Sequence, residues 1–254
     1  MTPAEPGDLP YVEGRPVAIS PCGWALVVAS TVLAFLILVA PPAAALTGAA
    51  ALLHALAFTA LPLATLAAVT GGAWTALFRA YGPLQLRQSI GFAFLTLAVS
   101  LLAGLMVAVV APVASNPVGD VLARMSGAEI PLFMLRTFVQ LIGEEVVSIL
   151  LLLAVMWLCA SVFRLPRHWS LGLGVAVSTL WFAAMHLPTY DWNILQCVGV
   201  IGAARLVLTW AYLRTRNLWV SSGAHVLNDW SIFAFDFAGG HGPVGVETLL
   251  VFGR

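Results

Sequence analysis

Two adjacent glutamates, Glu144 and Glu145, stand in the middle of residues 131–158, an apolar stretch long enough to cross a bilayer. A charged carboxylate in hydrocarbon costs on the order of several kcal/mol, and a neighbouring pair costs more because each opposes ionisation of the other. Glu144 falls near the centre of the stretch, where a carboxylate can act as a general base toward water. It can equally be a protonated side chain hydrogen-bonded to a neighbouring helix. Glu145 points about 100° further around the helix, which gives it a supporting role.

Two histidines fall in later apolar stretches. His186 closes the run STLWFAAMH, with Phe182 one turn earlier on the same face; a histidine at a helix end can also be a simple interfacial residue. His225 opens His-Val-Leu-Asn-Asp, so Asp229 stacks beside it at i+4 and Asn228 lies close by at i+3. That spacing can hold an imidazole in one tautomer or share an oxyanion or a water, or it can be a structural polar cluster. Glu144, His186 and His225 also make a His₂Glu set of the kind that binds catalytic zinc with one open position. No HExxH motif fixes such a metal, and the metal-independent reading is preferred. Arg205 is a further charge within an apolar stretch, able to offset a glutamate, bind a carboxylate or snorkel. His54, His168 and His241 have no companions in the sequence.

These residues need long apolar elements to hold them. Of the 254 residues, 61% are hydrophobic and only 9% charged, with mean hydropathy +0.99. Such a chain cannot cover its core with polar surface, so it reads as an all-α polytopic membrane protein. Net charge zero argues against a nucleic-acid partner. Cys22, Cys159 and Cys197 are too scattered for a disulfide framework or a CxxC metal site; Cys159 and Cys197 are expected as small core hydrophobes.

About 20 apolar residues cross a ~30 Å core. The sequence predicts seven spans, with six or eight as alternatives, at residues 24–45, 48–70, 89–113, 131–158, 170–186, 193–213 and 218–237. Residues 246–252 are too short to span and are expected to dock at an interface. Arg79 and Arg87, Arg164 and Arg167, and Arg214 and Arg216 lie in alternate loops, as the positive-inside rule requires of one cytoplasmic face. The N-terminus is therefore expected in the cytoplasm. It begins with an acidic, Pro- and Gly-rich tail (residues 1–22) expected to be disordered, followed by N-terminal membrane helices (23–130), a catalytic core (131–238) and a C-terminal tail (239–254). Counted from the cytoplasmic ends, His225 lies ~11 Å and His186 ~24 Å deep at 1.5 Å per residue. Bringing both to one site therefore requires a tilted, broken or re-entrant helix.

Glu144-Glu145, then Phe182-x-x-x-His186, then His225-x-x-x-Asp229 resembles the ordered motif series of the CPBP family, the CAAX prenyl endopeptidases and their bacteriocin-processing and Abi-type bacterial relatives. The stretch YLRTRNLWVSSGAHVLND, residues 212–229, resembles that family's approach to its last histidine. The resemblance covers roughly residues 131–230. It departs at one position: the family's first motif is usually Glu-Glu-x-x-x-Arg, and Ile149 stands where the arginine would be. The resemblance implies an intramembrane endopeptidase in which Glu144, assisted by His186, activates water and His225, with Asn228 or Asp229, stabilises the oxyanion. It implies either no cofactor or a divalent metal such as zinc. The bilayer and a peptide or membrane-protein substrate are the expected partners, in a bacterial inner membrane. An ion-coupled transporter using the same carboxylates, and an inactive scaffold or immunity protein, are the readings from other classes.

Overall fold

The computed structural model describes residues 9–39 and 47–239. The expected segments at residues 246–252 and 239–254, apart from the helical residue 239, lie outside the described residues, as do residues 1–8 of the N-terminal tail.

The described chain is helical. Six helices are long and apolar enough to cross a membrane: Pro21–Val39, Gly48–Val69, Pro83–Val110, Ile130–Val162, Arg167–Met185 and Ile194–Thr215. They correspond to the first six predicted spans. The first, second, third and fifth are α1, α2, α3 and α6. The fourth is α5 (Ile130–Trp157) ending in a π turn, Leu158–Val162. The sixth is built from α7 (Ile194–Gln196), a second π turn, Cys197–Ile201, and α8 (Gly202–Thr215). A short α4 (Val118–Arg124) precedes α5. The seventh predicted span is α9 (Leu218–Gly239), a 22-residue helix. It has the length to span, but Ser221, Ser222, His225, Asn228 and Asp229 hold its hydropathy below that of the other six.

Local sequence explains the ends. Pro83 opens α3 at the position where a missing N–H costs nothing, and the Gly82 amide donates to Gln85 Oε1 at 3.1 Å. Before α5, Glu129 Oε2 accepts from the Ser126 hydroxyl at 2.7 Å and from the Ser126 amide at 2.8 Å. These bonds, the hydroxyl first, hold the Glu129 carboxyl below the ordinary glutamate range.

The helices fall into two compact units. One comprises residues 1–80, 132–178 and 216–219; the other comprises 81–131, 179–215 and 220–254. In the first, α1 packs on α2, and Trp24 stacks on Trp157 of α5 with centroids 5.9 Å apart. The N-terminal segment departs from the expected disordered tail. Leu9, Tyr11, Val12 and Ile19 are buried, and the Tyr11 hydroxyl donates to the Ala73 carbonyl at 2.7 Å. Burial pushes the Tyr11 phenol well above its ordinary range. In the second unit α3 packs on α8. Cys159 and Cys197 are buried and reduced, as expected of small hydrophobes.

Candidate active site

The glutamate half belongs to the first unit. Glu144 and Glu145 are both buried on α5. Gln140, one turn before, donates its amide to Glu144 Oε1 at 3.0 Å. Ser148, one turn after, donates to the Glu144 carbonyl at 2.7 Å, and Ser178 of α6 donates to the Ser148 carbonyl at 2.8 Å. A chain of short polar side chains therefore ties α6 to the turn that carries the glutamates. On the other side α2 comes very close. A Cβ on Gly143 would stand 2.6 Å from the Phe58 ring and would also collide with Thr59 Oγ1, so only glycine permits this approach. Thr59 itself donates to the Val139 carbonyl at 2.8 Å. The backbone around Glu144 is thus fixed by contacts on two sides. Ile149 is fully buried.

The histidine half belongs to the second unit and is organised around Phe182 of α6. His186 follows the helix, and its Nδ1 lies 2.8 Å from the Phe182 carbonyl oxygen. A carbonyl can only accept, so Nδ1 carries the proton and donates. In the neutral ring this makes Nε2 the basic nitrogen. The Phe182 ring meets the His186 ring at 4.6 Å and the His225 ring of α9 at 5.8 Å between centroids. Arg205 of α8 sets its Cζ 5.2 Å from the same ring centroid, within cation–π range. Its Nε donates to Thr209 Oγ1 at 3.1 Å. Arg205 is completely buried, so of the roles left open by the sequence, snorkelling to water is eliminated. Both imidazoles thus reach one ring within this unit, and the π turn at Cys197–Ile201 lies in neither of the helices that carry them.

On α9 the two expected partners of His225 divide their work. Asp229 Oδ1 is 3.7 Å from His225 Nε2, too long for a hydrogen bond. The same oxygen accepts from Asn228 Nδ2 at 3.0 Å. Exchanging the amide's N and O would set a carbonyl oxygen against a carboxylate, so the donor is correctly Nδ2. The Asn228 Oδ1 is then a buried acceptor with no hydrogen bond among the described residues. Helix α9 is held against α3 two residues before His225. Gly223 approaches Ser89 so closely that a Cβ would stand 2.7 Å from Ser89 Oγ. Ser89 donates to the Val220 carbonyl at 3.0 Å and receives the Tyr81 hydroxyl at 3.0 Å.

Among the described residues no group of three or more His, Cys, Asp and Glu is placed to hold a metal ion. Glu144 lies in the first unit and His186 and His225 in the second, and no step below runs through a metal. Sequence reasoning missed Gln140, whose signal is its spacing one turn before Glu144 within an apolar run. It also missed Gly143, Thr59 and Ser89, whose partners are 80 or more residues away for Thr59 and Ser89 and carry no local signal.

Residues 126–231 match the family described as Rce1-like, type II CAAX prenyl endopeptidase Rce1-like. The matched stretch runs from just before α5 to Ser231 of α9 and takes in all six candidate site residues. The match marks residues 126–231 as an Rce1-like domain, in a chain whose described residues include six helices long and apolar enough to cross a membrane. No curated protein and no solved structure matches the chain.

Proposed function

We propose that this protein is an intramembrane endopeptidase that cuts a membrane-embedded or membrane-associated protein or peptide. Glu144, steadied by Gln140, takes a proton from the water that attacks the scissile carbonyl. His186 Nε2 relays that proton to the departing amine. His225 and the remaining N–H of Asn228 donate to the oxyanion, and Asp229 positions Asn228 by accepting its other N–H. A carboxylate cannot itself donate, so this assigns Asp229 an orienting part. Glu145 supports Glu144, and Arg205 packs over the Phe182 ring that both imidazoles meet. General acid–base catalysis contributes about 10²–10⁴-fold and an oxyanion donor about 10²–10³-fold.

The observation that carries the reading is the histidine half: two imidazoles meeting one ring, with His186 held in the tautomer that makes Nε2 basic. The test compares protein termini in membranes containing wild type or Glu144→Ala at equal abundance. New termini found only with wild type are expected, and they identify the substrate. Identical termini, with a cellular phenotype that Glu144→Ala preserves, would instead favour an inactive scaffold, the reading suggested by Ile149 at the family's arginine position.

The arginine pattern supports a cytoplasmic N-terminus, and the lysine-free, alanine-rich composition fits a bacterial inner membrane. Cys22 at the start of α1 is the exposed cysteine while Cys159 and Cys197 are buried. A membrane-impermeant maleimide should therefore label inside-out vesicles and spare intact cells or right-side-out vesicles. Labelling of intact cells would reverse the orientation.

A further inference from the structure

The proposed chemistry leaves three buried polar atoms of the second unit unused: the hydroxyls of Thr179 on α6 and Ser222 on α9, and Oδ1 of Asn228. None of the three has a hydrogen-bond partner among the described residues. A serine or threonine in an apolar helix ordinarily donates to the carbonyl one turn back, and this chain follows that habit elsewhere. Thr65, Thr70, Thr96, Thr215 and Ser231 do so at 2.6–3.0 Å. A carbonyl stands one turn back from Thr179 and Ser222 too, and neither hydroxyl donates to it. A buried donor left unpaired is costly, so both side chains are held in a state that suits another acceptor.

Their places in the two helices match. Thr179, Phe182 and His186 follow one another at i, i+3 and i+7 on α6, and Ser222, His225 and Asp229 do so on α9. Each hydroxyl therefore shares a face with the candidate site residues of its helix. The Phe182 and His225 rings meet at 5.8 Å, and each hydroxyl lies one turn before its helix's member of that pair. Spanning helices alternate in direction and one span separates α6 from α9, so with α9 as the seventh span the two run the same way. Both hydroxyls then stand at one level, about 4.5 Å along the axis from the ring contact. It is the methyl of Thr179 that α8 meets, since a Cβ on Gly202 would stand 3.6 Å from it. Asn228 lies one turn beyond His225. From Ser222 to Asn228 is about 9 Å at 1.5 Å per residue, roughly three residues of an extended strand. A peptide cut inside a membrane must be unwound, and each unwound residue brings an N–H and a C=O that lipid cannot satisfy.

Resting on the proteolytic reading above, we propose that Thr179, Ser222 and Asn228 Oδ1 bind the main chain of an extended substrate strand. The two hydroxyls donate to a substrate carbonyl on one side of the scissile bond, and Asn228 Oδ1 accepts a substrate N–H on the other. Main-chain recognition of this kind sets which bond lies at His225 and asks little of the substrate's side chains. Membranes containing wild type, Ser222→Ala, Thr179→Val, Ser231→Ala or Glu144→Ala at equal abundance would be compared for new protein termini. Each purified chain would also be unfolded thermally in detergent. Ser222→Ala and Thr179→Val should each lower the yield of wild-type termini about tenfold, the change expected of one hydrogen bond to substrate, and move cuts to neighbouring bonds. Neither should lower Tm, because neither hydroxyl gives up a bond within the described chain. Ser231→Ala loses the bond to the Leu227 carbonyl and should keep the wild-type cuts. Unchanged cutting in either hydroxyl variant, an equal loss in Ser231→Ala, or a loss that tracks a fall in Tm would overturn the proposal while leaving proteolysis standing. Identical termini with wild type and Glu144→Ala would instead remove the proteolytic reading, and this assignment with it.

Discussion

Replacing Gly143 by alanine tests whether the approach of α2 positions Glu144. The added Cβ would stand 2.6 and 2.7 Å from two Phe58 ring carbons and collide with Thr59 Oγ1, against an ordinary contact range of 3.4–4 Å. Phe58 is completely buried, so the ring cannot swing outward and the helices must part. Overpacking by a methyl group costs about 1–3 kcal/mol. Parting the helices also stretches the Thr59–Val139 hydrogen bond, worth about 1 kcal/mol. The expected loss is therefore about 2–4 kcal/mol, or roughly 5–15 °C in Tm at ~2–4 °C per kcal/mol for a chain of this size. Thermal unfolding of the purified protein in detergent, read by size-exclusion fluorescence, measures it. A Phe58→Ala partner supplies the decisive comparison. Alone it should cost ~3–5 kcal/mol, yet combined with Gly143→Ala the total should fall short of the sum by about 1 kcal/mol or more, because the methyl group then has room. A Gly143→Ala protein melting within ~1 °C of wild type would refute the reasoning. So would additivity within ~0.5 kcal/mol.

Two further outcomes follow from the histidine half. Gly223→Ala should destabilise α9 and reduce cleavage, since its Cβ would meet Ser89 Oγ at 2.7 Å and Ser89 Cβ at 3.1 Å. Adding Ser89→Ala should recover part of the Tm despite losing hydrogen bonds worth about 1 kcal/mol each, and no recovery would remove Ser89 as the obstacle. Arg205→Lys keeps the charge but loses the planar group over Phe182 and the Nε donor to Thr209. A thermal-stability cycle with Phe182→Leu should show coupling of about 0.5–2 kcal/mol, and zero coupling would dismiss the cation–π contact.

The spanning helices were legible in sequence because the bilayer sets a minimum run length that few charged residues interrupt. The candidate residues stood out for a related reason: an ionisable or polar group within an apolar run is costly wherever its helix points, which singles out Glu144, Glu145, His186, His225 and Asp229 as candidates. Azimuth was not legible. In a soluble helix the apolar stripe marks the inward face, but lipid-facing residues here are as apolar as packed ones: Phe94 is 70% and Met106 74% exposed on the same helix that buries Thr96. Tertiary structure alone decided that Gly143 meets α2 and that Phe182 joins two imidazoles to Arg205. It alone assigned Asp229 to Asn228 as hydrogen-bond acceptor while His225 stayed 3.7 Å away. It also packed residues 9–19 through buried Tyr11, although polar composition alone reads as disorder. Those outcomes depend on which helix faces which and at what height, and a chain apolar on every side carries little local record of either.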